Sequence, residues 1–140
     1  WSSDVCSSDL KGWCAAVEWS FPPTTASIAS ARNAVSDQLG RRTGTTTVED
    51  IRLLVSELVT NAVVHVGSTC TVTLRTSDTV IRVEVGDGCR QIPVRRHPAP
   101  GEASGRGLLI IETVADRWGV EVGEAGKTVW FEMDTPPARS

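Results

Sequence analysis

"SELVTNAVVH", running from Ser56 to His65, is the stretch whose reading decides the fold. Apolar residues flank Asn61 on both sides in what otherwise reads as a helix. Asparagine competes with the helical backbone for hydrogen bonds and is a poor choice for a helix interior. Asn61 lies one turn after Glu57 and one turn before His65. At ~100° per residue these three form a polar stripe along the margin of the apolar face made by Leu54, Leu58 and Ala62. Two readings of the stripe are open. Either Asn61 bonds a neighbouring loop and Glu57 is a solvated acid, or the stripe lines a cleft where a ligand or metal supplies the partners.

Outward from that stretch, Glu49 to His65 predicts one long helix, with Ile51, Leu54, Val55, Leu58 and Ala62 on one face and Gly67-Ser68 at its end. Upstream, Thr25 to Leu39 has Ile28, Ala31, Ala34, Val35 and Leu39 at helical spacing and is stopped by Gly40. Ala15 to Phe21 reads as an edge strand ended by Pro22-Pro23. Downstream, "CTVTLRT" and "VIRVEVGD" are rich in β-branched residues and predict an antiparallel hairpin turning at Ser77-Asp78. Gly88 to Ser104 is irregular, proline-containing and longer than most connections, the kind of loop that is functional or mobile. Leu108 to Trp118 reads as a third helix, entered through Gly105-Arg106-Gly107, and "WGVEVG" and "KTVWFEM" as two closing strands. This order lacks the strand–helix alternation of a parallel doubly wound sheet. It predicts an α+β fold: a two-layer α/β sandwich with a mixed, mostly antiparallel sheet and helices on one face.

The chain has 140 residues, 40% apolar and 22% charged, which suits one globular domain. Its net charge of −3 gives no general attraction to nucleic acid or to an anionic membrane. No apolar run approaches the ~20 residues that span a bilayer and no leader resembles a signal peptide, so the expected location is cytoplasmic. Cys6, Cys14, Cys70 and Cys89 show no C-x-x-C pair, and reduced thiols are expected rather than a zinc site or a disulfide framework. "WSSDVCSSDL", residues 1–10, repeats Ser-Ser-Asp without helical or strand period and resembles translated sequencing-adapter read-through. Residues 1–10 are therefore expected to be non-native, 15–134 to form the domain and 135–140 a tail.

Two more features carry chemistry. Asp87 ends an apolar strand between Gly86 and Gly88, where it either makes an ordinary Asp-Gly turn or points into a pocket and accepts hydrogen bonds from a ligand amino group. Gly105 and Gly107 open a helix, so the loop either needs glycine for its turn or gathers backbone N–H groups and the positive end of the dipole into an anion site. Other phosphate and catalytic motifs are absent. "GKT" at Gly126 to Thr128 imitates the end of a P-loop, but its first glycine would fall on Glu121 and a strand follows instead of a helix. G-x-G-x-x-G, H-E-x-x-H and G-x-S-x-G do not occur.

Taken in order, "LLVSELVTNAVVH", "VEVGDG", "SGRGLLIIETVADRWGVE" and "GKTVWFE" resemble the ATP-binding domain of the GHKL superfamily, which includes histidine kinases, gyrase and heat-shock chaperones. Within it they look most like the anti-sigma-factor serine/threonine kinases and their stand-alone actinobacterial relatives. The resemblance covers about Ser20 to Asp134. It implies that Asn61 coordinates Mg²⁺ bridging the ATP phosphates and that Glu57 is the base orienting a substrate serine hydroxyl. It implies that Asp87, with Gly88 beside it, accepts from the adenine amino group. Gly105, Arg106 and Gly107 would wrap the phosphates under a Gly88–Ser104 lid, and Thr128 would support adenine recognition from a neighbouring strand. The implied partners are a STAS-type anti-anti-sigma factor and a sigma factor, with neither nucleic acid nor membrane bound directly, and members commonly form homodimers. The sequence departs from the pattern at "GCRQIP" after Asp87, where the glycines are only partly present, and no phospho-acceptor helix pair precedes the domain. The alternative is a non-catalytic regulatory module that uses ATP occupancy to bind a protein partner.

Overall fold

The computed structural model describes residues 2–5, 13–40, 44–88, 106–124 and 126–135. Six strands form one sheet in the order β1-β2-β3-β4-β6-β5. They are β1 (Ser2–Val5), β2 (Ala15–Phe21), β3 (Cys70–Thr76), β4 (Val80–Asp87), β5 (Arg117–Val122) and β6 (Lys127–Asp134). All pairings among them are antiparallel, the limiting case of the mostly antiparallel sheet expected. Helices α1 (Ala26–Leu39), α2 (Thr45–Thr60) and α3 (Arg106–Val114) complete a two-layer α+β sandwich. β1 takes the edge position that the sequence suggested for β2, and its pairing there uses backbone groups that any sequence offers.

Strand alternation splits the sheet into two unlike faces. Val17, Trp19, Val72, Leu74, Ile81, Val83, Val85, Val129, Phe131 and Met133 point toward the helices and are buried. Ile51, Leu54, Val55, Leu58 and Val59 of α2 meet them, joined by Ala31 and Val35 of α1 and Ile111 of α3. The opposite face carries a chain of ion pairs. Glu84 accepts from Arg75 and Arg82, while Glu132 accepts from Arg82 and Arg117, and Arg117 also reaches Asp134. Arg82 further stacks over Trp130, 4.1 Å from the ring centroid. These polar rows explain why helices cover only one side. Among the described residues no helix is long and apolar enough to cross a membrane.

Several helix boundaries differ from the sequence reading. α2 begins at Thr45 rather than Glu49, because Gly44 leads straight into a helical turn closed by Val48 N–H on Gly44 O. α3 ends at Val114 rather than Trp118. Asp116 N–H already donates to Glu132 O there, so the chain has joined the sheet and Trp118 pairs with Phe131. The helix expected to run unbroken to His65 changes type at Asn61: residues Asn61–Val66 form a π-helical segment, closed by Gly67 N–H on Ala62 O at 2.9 Å.

Burial works to raise the Glu132 carboxyl, but hydrogen bonds from Arg117 and Arg82 outweigh it and hold the group below the usual carboxylate range. A depressed acid stabilises the fold above its unfolded pKa, and that contribution is lost as pH falls through the folded value. Glu132→Gln is expected to lower the melting temperature at pH 7. The gap from the unsubstituted protein should close as pH drops below the ordinary glutamate value of about 4.3. Melts followed by circular dichroism between neutral and acid pH check this.

Candidate functional site

The site is built where α2, its π segment and β4 meet. Backbone continuity from α2 into the π segment is kept by Asn61 N–H, which donates to both Glu57 O and Leu58 O. A π segment is wider than an α turn, and the change begins at the residue that fits an α-helix least. Glu57 and Asn61 are half-buried, and among the described residues neither side chain makes a hydrogen bond or ion pair. His65, the third member of the stripe, is exposed. The segment ends at Gly67, whose φ of 75° is the left-handed value glycine accepts freely. Ser68 then reaches across to the sheet, where its Oγ accepts from Gly88 N–H at 3.0 Å. That bond ties the end of the helix to the residue following Asp87.

Asp87 ends β4 on the inner face and is almost fully buried with Lys127 of β6, the two side chains being 4% and 3% exposed. They are register partners, and Lys127 Nζ donates to Asp87 Oδ2 at 2.8 Å and to Oδ1 at 3.1 Å. The buried Cys70 thiol belongs to the same row. Burial first, and the nearby Asp87 charge second, push it up to about 12, so it stays a protonated, unreactive thiol at neutral pH. Phe21 pairs with Cys70 on one side, and Lys127 pairs with Asp87 and Val122 on the other.

The structure therefore joins some of the expected residues and separates others. Glu57 and Asn61 share one helical turn, and the helix bearing them packs over β4, which ends in Asp87. Gly88 is exposed at the start of the loop. Arg106 and Gly107 form the first two positions of α3, which begins ahead of the expected Leu108, whereas Gly105 and the expected lid beyond Gly88 lie outside the described residues. Thr128 does not meet Asp87. It pairs with Gly86, and a Cβ placed on that glycine would stand 3.5 Å from Thr128 Oγ1, on the outer face. Lys127 is the residue of β6 that faces Asp87. Sequence reading passed over it because it was treated as the middle of a "GKT" string, but alternation counted along β6 from Val129 puts it inside.

The donor set fits a nucleotide-borne Mg²⁺. The Asn61 amide oxygen, which has no partner among the described residues, is a hard ligand of the kind magnesium takes. Among the described residues no three His, Cys, Asp or Glu side chains cluster, so a cation here would draw its remaining ligands from phosphate and water.

The geometry defines a two-layer α+β domain with an acid and an amide on a helix above a strand ending in a buried acid. The chain belongs to the histidine kinase-like ATPase domain family, whose profile matches residues 21–133. By family it is an ATP-binding domain. Its fold is similar to the RsbU and RsbW domains of Rv1364c from Mycobacterium tuberculosis, with a TM-score of 0.64 and 20% identity over 87% of this chain and 34% of that one. It is also similar to the Erythrobacter litoralis EL346 blue-light activated histidine kinase, with a TM-score of 0.50 and 26% identity over 79% of this chain and 40% of that one. The chain thus spans well under half the length of either structure. A search of the curated proteins gave no match.

Gly126, φ 156°, brings β6 against the end of β4 so closely that a Cβ there would stand 1.9 Å from Asp87 O. Gly126→Ala is expected to separate the two strand ends and cost on the order of 1–3 kcal/mol in urea unfolding. Asp87→Asn leaves the Lys127 ammonium buried without its counter-ion and is expected to cost about 3–5 kcal/mol in the same measurement.

Proposed function

We propose that the domain, residues 15–134, is a cytoplasmic protein serine/threonine kinase of the anti-sigma-factor type. Its substrates are Mg·ATP and a serine or threonine hydroxyl on a STAS-type anti-anti-sigma partner, and in its other state it withholds a sigma factor. The observation that carries this reading is the pairing of Glu57 with Asn61. Two half-buried polar side chains that find no partner among the described residues occupy one turn, at the point where the helix widens over β4. Family membership and the fold likeness to an RsbW domain support it.

Each residue has a definite task. The Asn61 amide oxygen holds the cation. When bound, Mg²⁺ neutralises charge on the phosphate oxygens. The Glu57 carboxylate orients the substrate hydroxyl and takes its proton as the oxygen–phosphorus bond forms and the bond to the leaving ADP oxygen breaks. Because the transition state is loose, positioning contributes more than base strength. Asp87 accepts from the adenine amino group, and the first turn of α3, at Arg106 and Gly107, offers N–H groups to the phosphates.

Transfer of labelled phosphate from ATP to a purified STAS protein tests the proposal. Glu57→Ala is expected to slow transfer by roughly 10²-fold or more while leaving ATP affinity within about threefold. ATP binding without transfer to any STAS substrate would instead identify a regulatory module that only senses nucleotide.

A further inference from the structure

We infer that Ser68 is a positioning residue: its hydroxyl, tied to Gly88, holds the backbone next to Asn61 and so sets where the amide oxygen meets nucleotide-borne Mg²⁺. The inference rests on the Mg·ATP reading of the site and deepens it. Hydrogen bonds in series connect the sheet to the neighbour of Asn61. Gly88 N–H donates to Ser68 Oγ at 3.0 Å, and Ser68 N–H donates to Ala62 O at 3.2 Å. Gly88 follows Asp87 directly, and Ala62 follows Asn61 directly. The same Ala62 carbonyl accepts from Gly67 N–H at 2.9 Å, the bond that closes the π segment. Ser68 thus grips the segment with its backbone and the sheet with its side chain.

The hydroxyl is held in one orientation. Its single proton is donated to Thr69 O at 3.2 Å, which leaves its lone pairs to face Gly88 N–H. The segment it anchors needs such support, because a π turn is rare and the α form is the ordinary state of a helical chain. At its start, Asn61 N–H is shared between Glu57 O and Leu58 O, so the helix upstream does not commit the residue to one partner. Ala62 and Val63 are buried and fix the segment from beneath. Its far end is tied, among the described residues, by the Ser68 side chain to the residue after the strand that ends in Asp87. Loosening that tie moves Asn61 relative to Asp87, whereas Glu57 stays fixed within α2. A serine that served only its own turn would affect nucleotide binding alike with and without the cation.

The test measures ATP binding by titration calorimetry on the full chain, with Mg²⁺ and again in EDTA. Ser68→Ala should weaken binding about three- to tenfold with Mg²⁺, the size of one neutral hydrogen bond, and leave binding in EDTA unchanged. Ser68→Thr keeps the hydroxyl and should bind as the unsubstituted protein does. In an Asn61→Ala background Ser68→Ala should add nothing, because the group it positions is gone. Should Ser68→Ala fail to fold, Ser68→Thr against its isostere Ser68→Val makes the same comparison. Hydrogen exchange of the unligated protein gives an independent readout: the Gly67 amide should exchange faster in Ser68→Ala. Unchanged Mg·ATP binding by Ser68→Ala, equal weakening with Mg²⁺ and in EDTA, or effects of Ser68→Ala and Asn61→Ala that simply add, each overturns the inference and leaves the ATP reading standing. No gain in ATP affinity from Mg²⁺ in the unsubstituted protein overturns the assignment of Asn61 itself.

Discussion

A carboxylate and an ammonium can both be buried in an apolar layer only when each neutralises the other, and Asp87 and Lys127 do so from adjacent strands. Their contact requires the register that sets Asp87 opposite Lys127, since a slip of one residue would turn every side chain of β6 to the other face. It also requires Gly126, because no side chain fits where the backbone passes Asp87 O. The candidate site is thus fixed at its base by sheet geometry rather than by loop conformation.

The two layers divide the chemistry between them. The sheet supplies the buried acid, the lysine and the protonated Cys70 thiol, all on one row. The helix layer supplies Glu57 and Asn61, whose side chains are left unbonded by their own helix. Ser68 joins the layers by accepting from Gly88 N–H, immediately beyond Asp87. On the far face, Arg75, Glu84, Arg82, Glu132 and Arg117 use their charges on one another, which keeps that side polar and leaves the helices a single surface to cover. One arrangement of side chains decides both where the helices pack and which side of the sheet carries the site.

Much of this was legible in the sequence, and for identifiable reasons. Period-two alternation in β3, β4 and β6 and helical spacing in α1 and α2 gave the strands, helices and layer order without a structure. The boundaries that slipped are those where tertiary pairing overrides local preference. β-Branched threonines disguised the first turn of α2, and the bond from Asp116 N–H to Glu132 O draws Trp118 into the sheet. The π segment left no signal, since its defining bond from Gly67 to Ala62 depends on how the chain end is capped rather than on composition. Asn61 marked the place all the same, as a residue ill-suited to the helix it starts to leave.

Lys127 and Thr128 show the limit most sharply. Adjacent in sequence, they lie on opposite faces of β6, and only the inner one can share a site with Asp87. The family resemblance pointed to the threonine; alternation from Phe131 and Val129 puts the lysine on the face that Asp87 shares. Replacing a neutral hydroxyl by an ammonium at that point changes what the acid beside it can do. A lone carboxylate asks a ligand only for a donor. A carboxylate held by a lysine already spends an acceptor position of each oxygen on that partner, so anything that approaches meets a fixed and partly neutralised acid.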